Sequence, residues 1–183
     1  MKKLFILLIF ICGSLTSFSL MAQEVPGPDD LFKMARTAAF DEKNYPKAIE
    51  LAKKALSISP DYMDIHTFIG RLYNWSDKTD SARLQFNYVL SKEPDNADAL
   101  SAYFDLEYQR DKFPRALELA EIGLKANPDA EDFIIRKAKA LSALERTSDA
   151  LQVTSDYIRK FPGSQPVIQL QQSINLSSII KTS

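Results

Sequence analysis

The chain has 183 residues, room for one domain or a short array of repeats. Apolar residues make up 45% and charged residues 26%, a soluble globular profile that excludes a disordered or bilayer-filling chain. The formal net charge of −1 offers no broad basic surface for a phosphate backbone, so no nucleic acid is expected as a partner.

Lys2 and Lys3 precede an apolar run from Leu4 to Ile11, and small and polar residues follow to Ala22. That basic, apolar, cleavable order predicts an export signal peptide over residues 1–22. The run is shorter than the ~20 apolar residues that span a bilayer. An uncleaved anchor is the alternative. Cys12, the one cysteine, falls inside this segment behind the bulky Phe10 and Ile11, which argues against a lipoprotein site. The mature chain then has no thiol, which excludes disulfides, thiolate catalysis and cysteine-ligated metals. It keeps 21 basic against 24 acidic residues, a net charge of −3. The expected location is periplasmic, with association to the outer membrane as a further option.

Residues 23–28 read as a linker containing Pro26, Gly27 and Pro28. Beyond it, Leu31, Phe32, Ala35, Ala38 and Ala39 recur at helical spacing, predicting a first helix to about Asp41. A second helix is predicted from about Tyr45 to Ser57, stopped by Pro60. The pattern then repeats every 34 residues: Pro60, Pro94, Pro128 and Pro162; Ala48, Ala82, Ala116 and Ala150; Leu56, Leu90, Leu124 and Ile158. A fixed period of this size means stacked helix pairs. The units are 29–62, 63–96, 97–130 and 131–164, followed over 165–183 by a capping helix and tail. Asp61, Asp95 and Asp129 follow three of the prolines and are expected to cap the next helices, with Ser164 taking that role at the fourth turn. The capping helix should give one apolar face to the last unit and one polar face to water.

The spacing of Gly70, Tyr73, Ala82, Phe86 and Pro94 resembles the tetratricopeptide repeat (TPR), and the resemblance extends over residues 29–164. It implies an all-α, right-handed α-solenoid of four TPR helix hairpins plus the C-terminal capping helix. Departures occur where Arg36, Phe104 and Ala138 stand in the column of Gly70, and where Thr154 replaces an aromatic residue. A narrower resemblance joins Phe68 to Trp75, Pro94 to Leu100 and Asp105 to Tyr108 with the periplasmic repeats of YaiO-type outer-membrane proteins. In those proteins a β-barrel follows. No alternating strand pattern follows the last helix here, so no barrel is expected within these 183 residues.

Nothing in the chain supplies a catalytic set. His66, the one histidine, falls where other units place Phe32, Leu100 and Ile134, and reads as a partly buried residue between repeats. The recurrent acidic residues read as helix ends, not as a metal site. No enzyme activity, cofactor or metal is expected. The TPR resemblance implies a groove lined by the first helix of each unit. Its candidates are Phe40, Arg71, Asn74, Trp75, Asp105, Tyr108 and Gln109, with a central cluster of Arg71, Asn74, Trp75, Asp105 and Tyr108. Arginine, tryptophan and tyrosine are common binding anchors. The competing reading is that Trp75 and Tyr108 only pack between adjacent helices. The lysine and asparagine set that clamps C-terminal carboxylates in some family members is unmatched, since Thr37 stands where asparagine should be. The expected function is an exported scaffold that holds a protein or peptide in this groove. The alternative is an accessory, or detached N-terminal part, of a YaiO-like outer-membrane protein, with that protein as partner.

Overall fold

The computed structural model describes residues 26–182. The signal peptide expected over residues 1–22, with Cys12, lies outside the described residues, as does the first half of the expected linker, residues 23–25. Among the described residues there are nine helices and no strand. They are α1 (Pro28–Phe40), α2 (Tyr45–Ile58), α3 (Met63–Trp75), α4 (Thr79–Lys92), α5 (Ala97–Gln109), α6 (Phe113–Ala126), α7 (Glu131–Ala143), α8 (Thr147–Lys160) and α9 (Gln165–Thr182).

Pro28 opens α1 and does not belong to the linker. A first-turn N–H has no helical acceptor, so proline loses nothing there. At the other boundaries the 34-residue period governs. Pro60, Pro94, Pro128 and Pro162 each stand one residue beyond the C-cap of α2, α4, α6 and α8. Within each hairpin the turn places one residue at left-handed backbone angles: Lys43 (φ 55°), Asp77 (56°), Asp111 (56°) and Glu145 (60°). The residue after each left-handed position closes the turn back onto the helix. Lys78, Lys112 and Arg146, for example, donate their N–H groups to Tyr73, Glu107 and Leu141 at 2.8–2.9 Å.

The aspartates after the prolines are not the caps that the sequence suggests. The N-cap positions belong to the next residues, Tyr62, Asn96 and Ala130. The turn runs one residue longer than the capping pattern needs, so each carboxylate stands outside the helix start. Asp61 accepts the Tyr88 hydroxyl of α4 at 2.7 Å, and Asp129 binds the Lys160 ammonium of α8. Ser164 donates its hydroxyl to Glu131 at 2.6 Å.

Consecutive helices pair as hairpins, and α3, α5, α7 and α9 also touch in series, while the even-numbered helices stand farther apart. The array therefore curves with its odd-numbered helices inside. One apolar cluster joins α1 to α3 and another runs from α4 to α9, with Tyr73 packed against both. No hairpin buries its apolar face alone, so the core exists only in the stack.

Ala48, Ala82, Ala116 and Ala150 are all fully buried. Ala82→Leu is expected to cost ~1–3 kcal/mol by overpacking, read as a lower urea midpoint at unchanged slope. The last helix departs in part from expectation. Val167 and Ile174 are buried, but Leu176 (62%) and Ile180 (76%) are exposed, so its outer face is not uniformly polar.

Candidate functional site

The inner face carries the residues picked from the sequence, but the structure does not gather them into one central cluster. It sorts them into three groups.

The first group is aromatic. Phe40 ends α1 and Trp75 ends α3, and their rings meet edge to face at 5.9 Å. Tyr45 lies 5.7 Å from Trp75, and Phe68 lies 6.0 Å from Phe40 and 5.4 Å from Phe32. Phe40 stays 43% and Trp75 44% exposed despite these contacts.

The second group is a charge ladder between neighbouring inner helices. Arg71 donates to both carboxylate oxygens of Asp98, at 2.6 and 3.0 Å. Asp105 stands 34 residues after Arg71, in the same place of the next hairpin, with the opposite charge. There Arg136 of α7 supplies the cation, bonding Asp105 and also Asp132 at 2.8 Å. Burial disfavours the Arg136 charge, but the bond to Asp132 and the charge of Asp105 outweigh it and hold its pKa above the usual arginine value. Ser101 completes the ladder by donating to Asp132 at 3.0 Å. Arg71 and Asp105 are therefore matched within the protein and not to each other.

The third group is packing. Asn74 is buried and donates to Gln109 at 3.1 Å. Tyr108 stacks on Phe104 at 5.5 Å and meets Phe113 edge-on at 5.2 Å. Thr67, in the same inner-face row, is also buried.

Beside the aromatic group lies a hollow of about 350 Å³, lined by Phe32, Phe40, Phe68, Arg36, Asp64 and Arg71 among others. Arg36 sits 5.9 Å over the Phe32 ring. Neither Arg36 nor Asp64 forms an ion pair among the described residues. Sequence reasoning missed Arg36, Phe32 and Phe68 as site residues. A signal did exist for Arg36. It stands in the column of Gly70 and Ala138, and a lone guanidinium cannot occupy a small buried slot, so it must project.

His66 is the half-buried residue that the sequence suggests. Its Nδ1 lies 2.8 Å from Gln85 Oε1, its Nε2 lies 2.8 Å from the Pro60 carbonyl oxygen, and its ring is 4.3 Å from that of Tyr88. It ties α3 to α4 and to the preceding turn.

No family model matches the chain, and no curated protein matches it. Solved structures do. A tetratricopeptide repeat protein from Parabacteroides merdae superposes with a TM-score of 0.71 at 18% identity, over 80% of this chain and 58% of that one. The chain thus spans little more than half the length of that relative. PilF of Pseudomonas aeruginosa gives a TM-score of 0.69 at 14% identity, over 82% of this chain and 68% of that one. A thermophilic TPR protein of Thermus thermophilus gives 0.66 at 10% identity, over 83% of each chain. At such identities the likeness speaks for architecture alone, and it agrees with the 34-residue period and the helix pairing: this chain has the fold of the tetratricopeptide-repeat solenoids.

Proposed function

We propose that the chain is a non-enzymatic scaffold that holds a polypeptide segment along its inner face, anchored at the α1–α3 end and not at the middle. The observation that carries this reading is the exposed pair Phe40 and Trp75, continuous with a hollow that also offers the unpaired Arg36 and Asp64. Large aromatic faces next to unmatched charges give a ligand both area and orientation. The other sequence-picked residues have partners in the protein, so they shape the groove. Export, and with it a periplasmic partner or an outer-membrane neighbour, rests on the sequence of residues 1–22.

Trp75 is the one tryptophan in the chain, so its emission reports on this end of the groove directly. Peptides captured from an envelope extract are expected to shift Trp75 emission to shorter wavelength as the ring leaves water. Phe40→Ala should weaken their binding about tenfold or more. Asp105→Asn, at the ladder, should leave it nearly unchanged. Equal binding by wild type and Phe40→Ala, with helicity intact, would place the ligand elsewhere.

A further inference from the structure

The outer side of the array carries a slot at two of the junctions between even-numbered helices, and one of them is nearly twice the size of the other. Between α6 and α8 the slot is bordered by Leu124, Pro128, Asp129, Asp156 and Lys160 and holds about 290 Å³. Shifting those residues back by 34 gives Leu90, Pro94, Asp95, Ile122 and Ala126, all of which border the slot between α4 and α6. That slot holds about 550 Å³. The two slots share these five positions, so what crosses the smaller shows what the larger lacks there.

At the α6–α8 junction Lys160 lays its stem along the slot and binds Asp129. At the α2–α4 junction the equivalent carboxylate, Asp61, takes the Tyr88 hydroxyl at 2.7 Å. That bond raises the Tyr88 pKa above the ordinary tyrosine value. Each time a side chain with an apolar shaft and a donor tip crosses from one hairpin to the carboxylate of the one before. At the middle junction the equivalents of Tyr88 and Lys160 are Ile122 and Ala126, and neither can donate. Asp95 accordingly has no hydrogen-bond or ion-pair partner among the described residues, and Ile122 is exposed. Arg115 and Lys125 also border the slot. Arg115 is matched by Glu118 at 2.7 Å. Lys125 forms no ion pair among the described residues and leaves a positive charge for a carboxylate of the same ligand.

We propose that the middle slot is a second docking site, on the face opposite the groove, which receives a lysine side chain of a partner protein. Its aliphatic stem lies between Leu90, Pro94 and Ile122, and its ammonium binds Asp95 as that of Lys160 binds Asp129. The chain supplies this strap at the junctions on either side and leaves the middle one to the partner. The commitment to a cation follows from the unpaired Asp95 charge.

The test uses N-acetyl-lysine amide as the probe and N-acetyl-norleucine amide, equal in stem but without the charge, as the control. Methyl resonances of Leu90 and Ile122 are followed by NMR in the full chain. The lysine probe should shift them at concentrations where the norleucine probe does not, and Asp95→Asn should abolish the difference. Ala126→Lys should build the missing strap internally, raise Tm by about 1–3 °C and remove probe binding. Equal shifts from both probes, lysine binding that survives Asp95→Asn, or an Ala126→Lys chain that still binds the probe would each overturn the proposal. None of these outcomes depends on Phe40 or Trp75, so the groove reading stands or falls separately.

Discussion

Arg83→Met is expected to destabilise the protein by ~2–4 kcal/mol, since it strands a buried carboxylate. Arg83 of α4 donates to both carboxylate oxygens of Glu107 of α5, at 2.7 and 3.1 Å. The Glu107 side chain is only 3% exposed. Its hydrogen bond to Glu107 holds the Arg83 guanidinium protonated even more firmly than usual. Without Arg83, a carboxylate stays inside with no counter-charge, and desolvation makes that costly. The pair itself need not be stabilising, because burying the Glu107 charge against an Arg83 that is 32% exposed consumes much of their attraction. The double variant Arg83→Met/Glu107→Leu should therefore recover most of the loss. Urea unfolding followed by circular dichroism checks both. A single variant that loses less than ~1 kcal/mol would mean that water reaches Glu107.

Exchanging Gly70 and Phe86 provides the second large effect. A Cβ on Gly70 would come within 2.5 Å of the Phe86 ring, which is fully buried. The ring of α4 thus lies flat against the bare backbone of α3. One hairpin later the sizes are reversed: Phe104 stands at the position of Gly70, and Ala120 at that of Phe86. The two middle hairpins thus each hold one large ring at this crossing, delivered from opposite sides. Phe86→Ala should cost ~3–5 kcal/mol by leaving a cavity. Gly70→Phe should be at least as damaging, since two rings then compete for one space. Combining them copies the Phe104 and Ala120 arrangement, and the double variant should regain more than half of the summed loss. Additive losses would show that the two hairpins do not share this crossing geometry.

These two cases mark what the sequence discloses. The alanine, proline and leucine columns were legible because each solves the same local problem in every hairpin, and a repeated solution leaves a period. Phe40 and Trp75 were legible as inner-face positions for the same reason. The bond between Arg83 and Glu107 was not, since 24 residues separate them and neither belongs to a column. Arg71 looked like a free anchor beside Asp105 because the sequence shows which face a residue occupies but not which neighbour it reaches across the helix gap. The aspartates after the prolines misled by one position. Their spacing suits a cap, while the actual turn is one residue longer and turns them outward to the next hairpin.

The tight hairpin bends have a bearing on how the molecule comes apart. Lys43, Asp77, Asp111 and Glu145 all sit at positive φ, and no glycine is among them. A side chain in that conformation costs ~1 kcal/mol that glycine would not. Every hairpin in isolation is thereby handicapped, and only adhesion between hairpins makes good the deficit. In a linear array, weak units joined by strong couplings melt together. The glycine-free bends therefore favour collapse of the whole array in one transition over fraying from its ends.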